Sequence, residues 1–146
     1  MSLSNIFTIS GSGMTAQSVR LNATASNIAN AQTVSSSTEV TYRARHPIFS
    51  VLQKQFIDRE FTEVDLQSDV GQGVKVLGIV ESQAPLRPQY EPNHPYADEQ
   101  GYVYYPNVNV VEEMADMISA SRSFQTNVEV MNTTKGMMQR VLTLGQ

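Results

Sequence analysis

The fold is decided by Asn109-Val110-Val111-Glu112-Glu113-Met114 and the run that continues from it to Leu142. In alternating steps of four and three, Val110, Met114, Met117, Ser121, Phe124, Val128, Met131, Lys135, Met138 and Leu142 fall on one line, all apolar except Ser121 and Lys135. That spacing predicts a long amphipathic helix with a coiled-coil seam. Asn109 is placed to accept from the free N–H groups of the first turn, and Glu112 to reach back, a capping box with Asn in place of Ser or Thr. Glu112, Glu113 and Asp116 lie near the positive end of the helix dipole, Lys135 and Arg140 near the negative end. Gly136 is a weak point and Gly145 a natural stop.

The other end of the chain repeats the pattern more softly. Leu3, Phe7, Ser10, Met14, Gln17, Leu21, Thr24, Ile28 and Ala31 form a second seam, six of whose nine positions are Leu, Phe, Met, Ile or Ala. Gly11 and Gly13 each cost about 1 kcal/mol against Ala within a helix, so the first turns are either weak or closely packed on a neighbour. From Met1 to Thr38 the only charged residue is Arg20, while Ser, Thr, Asn and Gln supply 20 of these 38 residues. An uncharged helix of this kind needs neighbours. Val34 to Thr38 follows as a loop.

Between the helices the pattern changes. Val40–Arg45, Ile48–Phe56, Phe61–Leu66 and Val74–Val80 are short, β-branched or aromatic runs separated by turn formers, and predict four strands. Pro85, Pro88, Pro92 and Pro95 then predict an extended, polyproline-like strap without regular structure, leading through Tyr102 to Tyr105 into Pro106. The fold class expected is α+β: long N- and C-terminal helices pairing as a coiled-coil inner domain, with a small β-rich insert between them. The divisions are 1–35 for the first helix, 36–107 for the insert and 108–146 for the last helix. So small an insert cannot enclose a large core, and the seams call for cover from outside the chain. Flexible Met side chains suit such a role.

Composition narrows the function. The 146 residues fit one domain, and the net charge of −4, with no Lys/Arg cluster, argues against nucleic acid. The absence of Cys removes disulfides, thiolate metal sites and thiol catalysis. No basic n-region with an apolar run opens the sequence, and no stretch approaches the roughly 20 apolar residues of a membrane span, so neither a cleaved signal nor direct membrane insertion is expected. An amphipathic membrane-surface helix would carry a basic face, and the first segment has one Arg.

Candidate chemistry is sparse. His46-Pro47 and His94-Pro95 hold the two histidines, neither with a second ligand at suitable spacing, and both are expected as turns. Gly71-Gln72-Gly73 lacks the rest of a nucleotide-binding fingerprint and is expected as a tight turn before the Val74 strand. Glu112, Glu113 and Asp116 are expected to open a helix rather than hold a cation. The Asn22-Ala23-Thr24 and Asn132-Thr133-Thr134 sequons fall inside predicted helices. No catalytic residue, cofactor or metal is expected, and the chain is not expected to be an enzyme.

Several motifs carry a family resemblance. Ser10-Gly11-Ser12-Gly13-Met14-Thr15-Ala16-Gln17-Ser18-Val19-Arg20-Leu21-Asn22, followed by Ala25-Ser26-Asn27-Ile28-Ala29-Asn30-Ala31-Gln32-Thr33, resembles the N-terminal signature of bacterial flagellar rod, hook and hook-associated proteins. Tyr42-Arg43-Ala44-Arg45-His46-Pro47, Tyr90 to Asp98, Gly101 to Met114 and Ala120 to Lys135 are similar to the proximal-rod members in particular. The Ser run at Val34–Val40 departs from the Gly/Asp-rich turn of that family.

The resemblance implies a non-enzymatic structural subunit of the basal-body proximal rod in the periplasmic space, exported by the flagellar type III apparatus without a cleaved signal peptide. It would polymerise through its terminal helices into a hollow drive shaft that transmits torque and lets export substrates pass. Its implied partners are copies of itself, the rod subunits FlgB, FlgF and FlgG, the rod-base adaptor FliE and the export apparatus. The assembly interface expected comprises Leu3, Phe7, Met14, Leu21, Asn27, Ile28, Asn30, Val110, Met114, Met117, Phe124, Val128, Met131, Met138 and Leu142. The alternative is an export-chaperone-like or adaptor module binding one partner through its amphipathic termini.

Overall fold

The computed structural model describes residues 3–52 and 72–144. Two helices dominate it, α1 (Leu3–Asn30, 28 residues) and α2 (Val110–Leu144, 35 residues). At 1.5 Å per residue they are about 42 and 52 Å long. They run antiparallel, because Asn27 meets Glu113 near one end while Gly11 lies beside Met131 near the other. The fold is α+β, with a small β insert between two long helices, as the sequence predicts.

Among the described residues the insert forms two separate antiparallel strand pairs. β1 (Arg45–Val51) pairs with β2 (Val74–Glu81), with an irregularity between Ile48 and Phe49, and this pair packs on α1. β3 (Arg87–Tyr90) pairs with β4 (Tyr102–Tyr105), and a single bridge joins Ser35 to Tyr104. Gly73, at φ 123°, lies against Ile9 and Ser12 of α1, whose hydroxyl accepts from the Val74 N–H at 3.1 Å. Gly71-Gln72-Gly73 is expected as a tight turn; instead Gln72 and Gly73 exchange backbone hydrogen bonds with Leu52 at 2.9 Å, prolonging the β1–β2 pairing, while Gly71 lies outside the described residues.

Three further expectations change. Val40–Arg45 is not a strand: Val40 is 78% exposed, Thr41 folds back to the Ser37 carbonyl through both its N–H and its hydroxyl, and β1 starts at Arg45. His46-Pro47 is consequently not a turn but part of β1, opposite Val80 and Ile79. The Pro-rich stretch is not wholly irregular, since Pro88 sits within β3 opposite Tyr104. Proline lacks an N–H for the ladder but is tolerated at a sheet edge, and β3 is the edge of a two-stranded sheet. The expected strand Phe61–Leu66, and the last residues of Ile48–Phe56, lie outside the described residues.

Side-chain hydrogen bonds, more than apolar bulk, tie the parts of the insert together. Its small core joins Ala31, Ala44 and Val108, with Tyr42 packed against them. Asn107 accepts from the Ala44 N–H at 2.8 Å and donates to the Ser82 and Ala84 carbonyls at 3.3 and 2.9 Å. Arg87 donates to the carbonyls of Pro106 and Val108 at 3.2 and 3.4 Å, tying β3 to the approach to α2. At the far turn, Asp98 accepts from the N–H groups of Tyr102 and Gln100, and the Tyr102 bond leads in holding its carboxyl below the ordinary value.

Candidate assembly interface

The two helices meet through small and polar side chains. On α2 the buried positions are Glu113, Ala120 and Thr134, and with Asn127 they fall seven residues apart, the period of a coiled-coil position. On α1 the buried set is Ser10, Ala16, Ala23, Thr24 and Asn27. A Cβ added at Gly13 would lie 2.9 Å from Asn127 Nδ2, so glycine there permits the close approach of the helices. Arg20, the only charge in the first 38 residues, is neutralised within the chain by Asp116 at 2.6 Å.

At the insert end of this seam, Asn27 is fully buried and all its hydrogen-bonding capacity is used. Its Nδ2 donates to Glu113 Oε1 and to the Arg45 carbonyl, each at 2.9 Å. Its Oδ1 accepts from the Tyr42 hydroxyl and the Arg45 N–H, again at 2.9 Å. One amide thereby joins α1, α2, the loop before β1 and the start of β1. Burial pushes the Glu113 carboxyl above its ordinary value; the Asn27 hydrogen bond and His46 act against this shift, and Asp116 and Glu112 add to it. At the N-terminus of α2 the Val111 N–H bonds to Asn109 Oδ1 at 3.2 Å, so the Asn half of the expected cap is formed. Glu113, rather than Glu112, turns inward.

The sequence-derived interface residues take distinct positions around this seam. Met117, Phe124, Val128 and Met131 on α2, and Phe7, Met14, Leu21, Ile28 and Asn30 on α1, are half-buried at its flanks. Val110, Met114, Met138 and Leu142 are exposed, Met114 by 54% and Leu142 by 71%. Asn27 lies inside the chain rather than on an outer face, because its amide is consumed by the joint just described. Leu3 lies in the first turn of α1. Val111, Ile118, Met137 and Val141 add further apolar surface that the seam reading does not contain. Their signal was available: Val111, Met114 and Ile118, like Met137 and Val141, follow three- and four-residue spacing.

The other candidates take the following places. His94 accepts the Tyr96 N–H through Nδ1 at 3.1 Å, inside the turn expected there. Asp116 is engaged by Arg20 and Glu113 by Asn27, while Glu112 is exposed. Among the described residues no group of three His, Cys, Asp or Glu is placed to hold a metal ion. No described helix is long and apolar enough to cross a membrane.

Comparison with known proteins places this architecture. Residues 4–34 match the family model described as flagella basal body rod protein. Residues 99–144 match the model described as flagellar basal body rod FlgEFG protein C-terminal. The first match takes in nearly all of α1 and the second takes in β4 and α2, and together they define the class, a flagellar basal-body rod protein. Full-length relatives refine it. The chain is 50% identical to the flagellar basal-body rod protein FlgC of Escherichia coli O6:H1, over all of both chains. It is 48% identical to that of Salmonella typhimurium, again over all of both, and 37% identical to that of Borreliella burgdorferi, over all of this chain and 99% of the other. The chain belongs to the FlgC family.

Proposed function

We propose that this rod protein polymerises through its terminal helices into the hollow shaft of the proximal rod, crossing the periplasmic space, transmitting motor torque and leaving a passage for export substrates. The observation that carries the reading is the division of labour on α2. Its small residues close the intrachain pair, while Val111, Met114, Ile118, Met137, Val141 and Leu142 stay exposed. Exposed apolar surface on this scale marks an interaction site, and burying it stabilises by about 25 cal/mol per Å².

Contacts between unlike faces of identical or related subunits generate an open helix when they do not close a ring. The partners are copies of the chain and the related subunits FlgB, FlgF and FlgG, with FliE at the base, after delivery by the type III export apparatus without a cleaved signal. The helices 1–35 and 108–146 form the inner layer and 36–107 the outer one. Because Arg20 is paired internally, α1 presents an outer face free of unpaired charge, and copies stack along it without accumulating repulsion.

Met114→Glu tests this directly. The side chain is exposed, so the chain should fold and be exported normally, while rods fail to assemble and motility is lost. Normal swimming by this variant, with the protein present in purified basal bodies, would sink the assignment of α2 as an assembly surface.

A further inference from the structure

Glu113 is the buried carboxylate of the α1–α2 seam, 5% exposed, and its circumstances are unusual. Two arginines on the elements packed beside it are committed elsewhere. Arg20 of α1 is bonded to Asp116 at 2.6 Å. Arg45 of β1 reaches Glu81 through Nε and Nη2 at 3.1 and 2.9 Å and lies over the Tyr42 ring. The hydrogen-bond partner of Glu113 is the neutral amide of Asn27. Glu112 and Asp116 on its own helix add negative charge nearby, and His46 of β1 is the group able to supply positive charge in opposition.

Ionisation strengthens the bond from Asn27, but a carboxylate enclosed in this way and flanked by Glu112 and Asp116 loses its hydration, and burial outweighs the bond, so the ionised group is drawn out toward water. The same Asn27 amide holds Tyr42 and both backbone groups of Arg45, so whatever strains the Asn27–Glu113 contact strains the attachment of β1. We propose that Glu113 is a proton-operated fastener at the joint between the helix pair and the insert: neutral, it closes the start of α2 onto Asn27 and β1; ionised, it loosens that joint. The raised carboxyl sets the direction. Stability from this group is fully present below its unfolded value of 4.5 and is lost as pH rises through the folded-state value above it. Acid therefore tightens the joint and neutral solution leaves it poised to move. The inference concerns the single chain and does not depend on polymerisation.

The experiment compares the full-length chain with Glu113→Gln from neutral pH down to about pH 4, following thermal unfolding and the exchange protection of the Arg45 amide, corrected for intrinsic rate. Gln keeps the acceptor for Asn27 and cannot ionise. Near pH 7 the variant should melt about 3 °C higher, roughly 1 kcal/mol for a chain of this size, and protect the Arg45 amide more strongly. Both differences should close as the parent takes up its proton. A gap that is constant with pH, or a parent more stable at neutral pH, overturns the proposal. His46→Gln is the control: the pH dependence should persist in it, and its loss would overturn the proposal. Should Glu113→Gln not fold, carboxyl-carbon NMR of the parent decides: a Glu113 titration at or below 4.5 overturns it.

Discussion

Asn27 shows how one side chain can organise a junction of four segments. Its amide has two donors and one oxygen with two lone pairs, and each is matched at 2.9 Å. Removing it strands a buried carboxylate, a hydroxyl and two backbone groups, and each unsatisfied buried group costs about 1–3 kcal/mol. Asn27→Ala should therefore destabilise the chain by about 3 kcal/mol, measured by urea unfolding, partly offset where water enters the gap. Asn27→Asp has a different signature. It sets a second carboxylate against Glu113 and removes the donor, so its deficit should shrink as pH falls and the pair takes up a proton. A deficit independent of pH would mean that the Asn27–Glu113 contact does not form.

The pairing of α1 and α2 depends on smallness rather than on hydrophobic mass. Ala120 is wholly buried and Ala16 and Ala23 nearly so, which lets the backbones approach across Gly13. Ala120→Leu has no space to fill and should cost about 2 kcal/mol of monomer stability, seen as a lowered melting temperature. Met114→Glu, on the exposed flank, should leave that temperature within about 1 °C of the parent while blocking assembly. The two substitutions separate intrachain packing from contacts between subunits. The Met-rich line in α2 is correctly helical in period, yet the packed stripe lies beside it at Glu113, Ala120, Asn127 and Thr134. Reading by hydrophobicity selects large apolar residues, whereas close helix approach selects small ones.

Across the full chain, anchoring is unequal along the helix pair. The insert grips α1 from Ser12, through the Val74 N–H, to Asn27, through Arg45. Beyond Thr134, α2 has no fully buried residue up to Thr143. Amides from 136 to 143 should therefore exchange rapidly in the isolated monomer and become protected in purified rods. Equal, strong protection of this end in the monomer would contradict the view that neighbours complete it.

What could be read from residue order alone was what depends on local periodicity and composition. The two long helices, the β-rich insert between them and the Asn109 cap all rest on spacing within a few residues. The rod-protein motifs, long and closely spaced, were equally legible. The strand at Arg87–Tyr90 was not, because Pro88 reads as a breaker until its place at a sheet edge is known. Nor was the loop at Val40, whose β-branched side chain points to solvent while Thr41 binds back to Ser37. Above all, the inward turn of Glu113, the pairing of Arg20 with Asp116 and the burial of Asn27 join residues 86 to 96 positions apart, or lie between elements. Such contacts follow from how two helices are laid against each other, a long-range choice made by side-chain volume and hydrogen-bond satisfaction that no local pattern encodes.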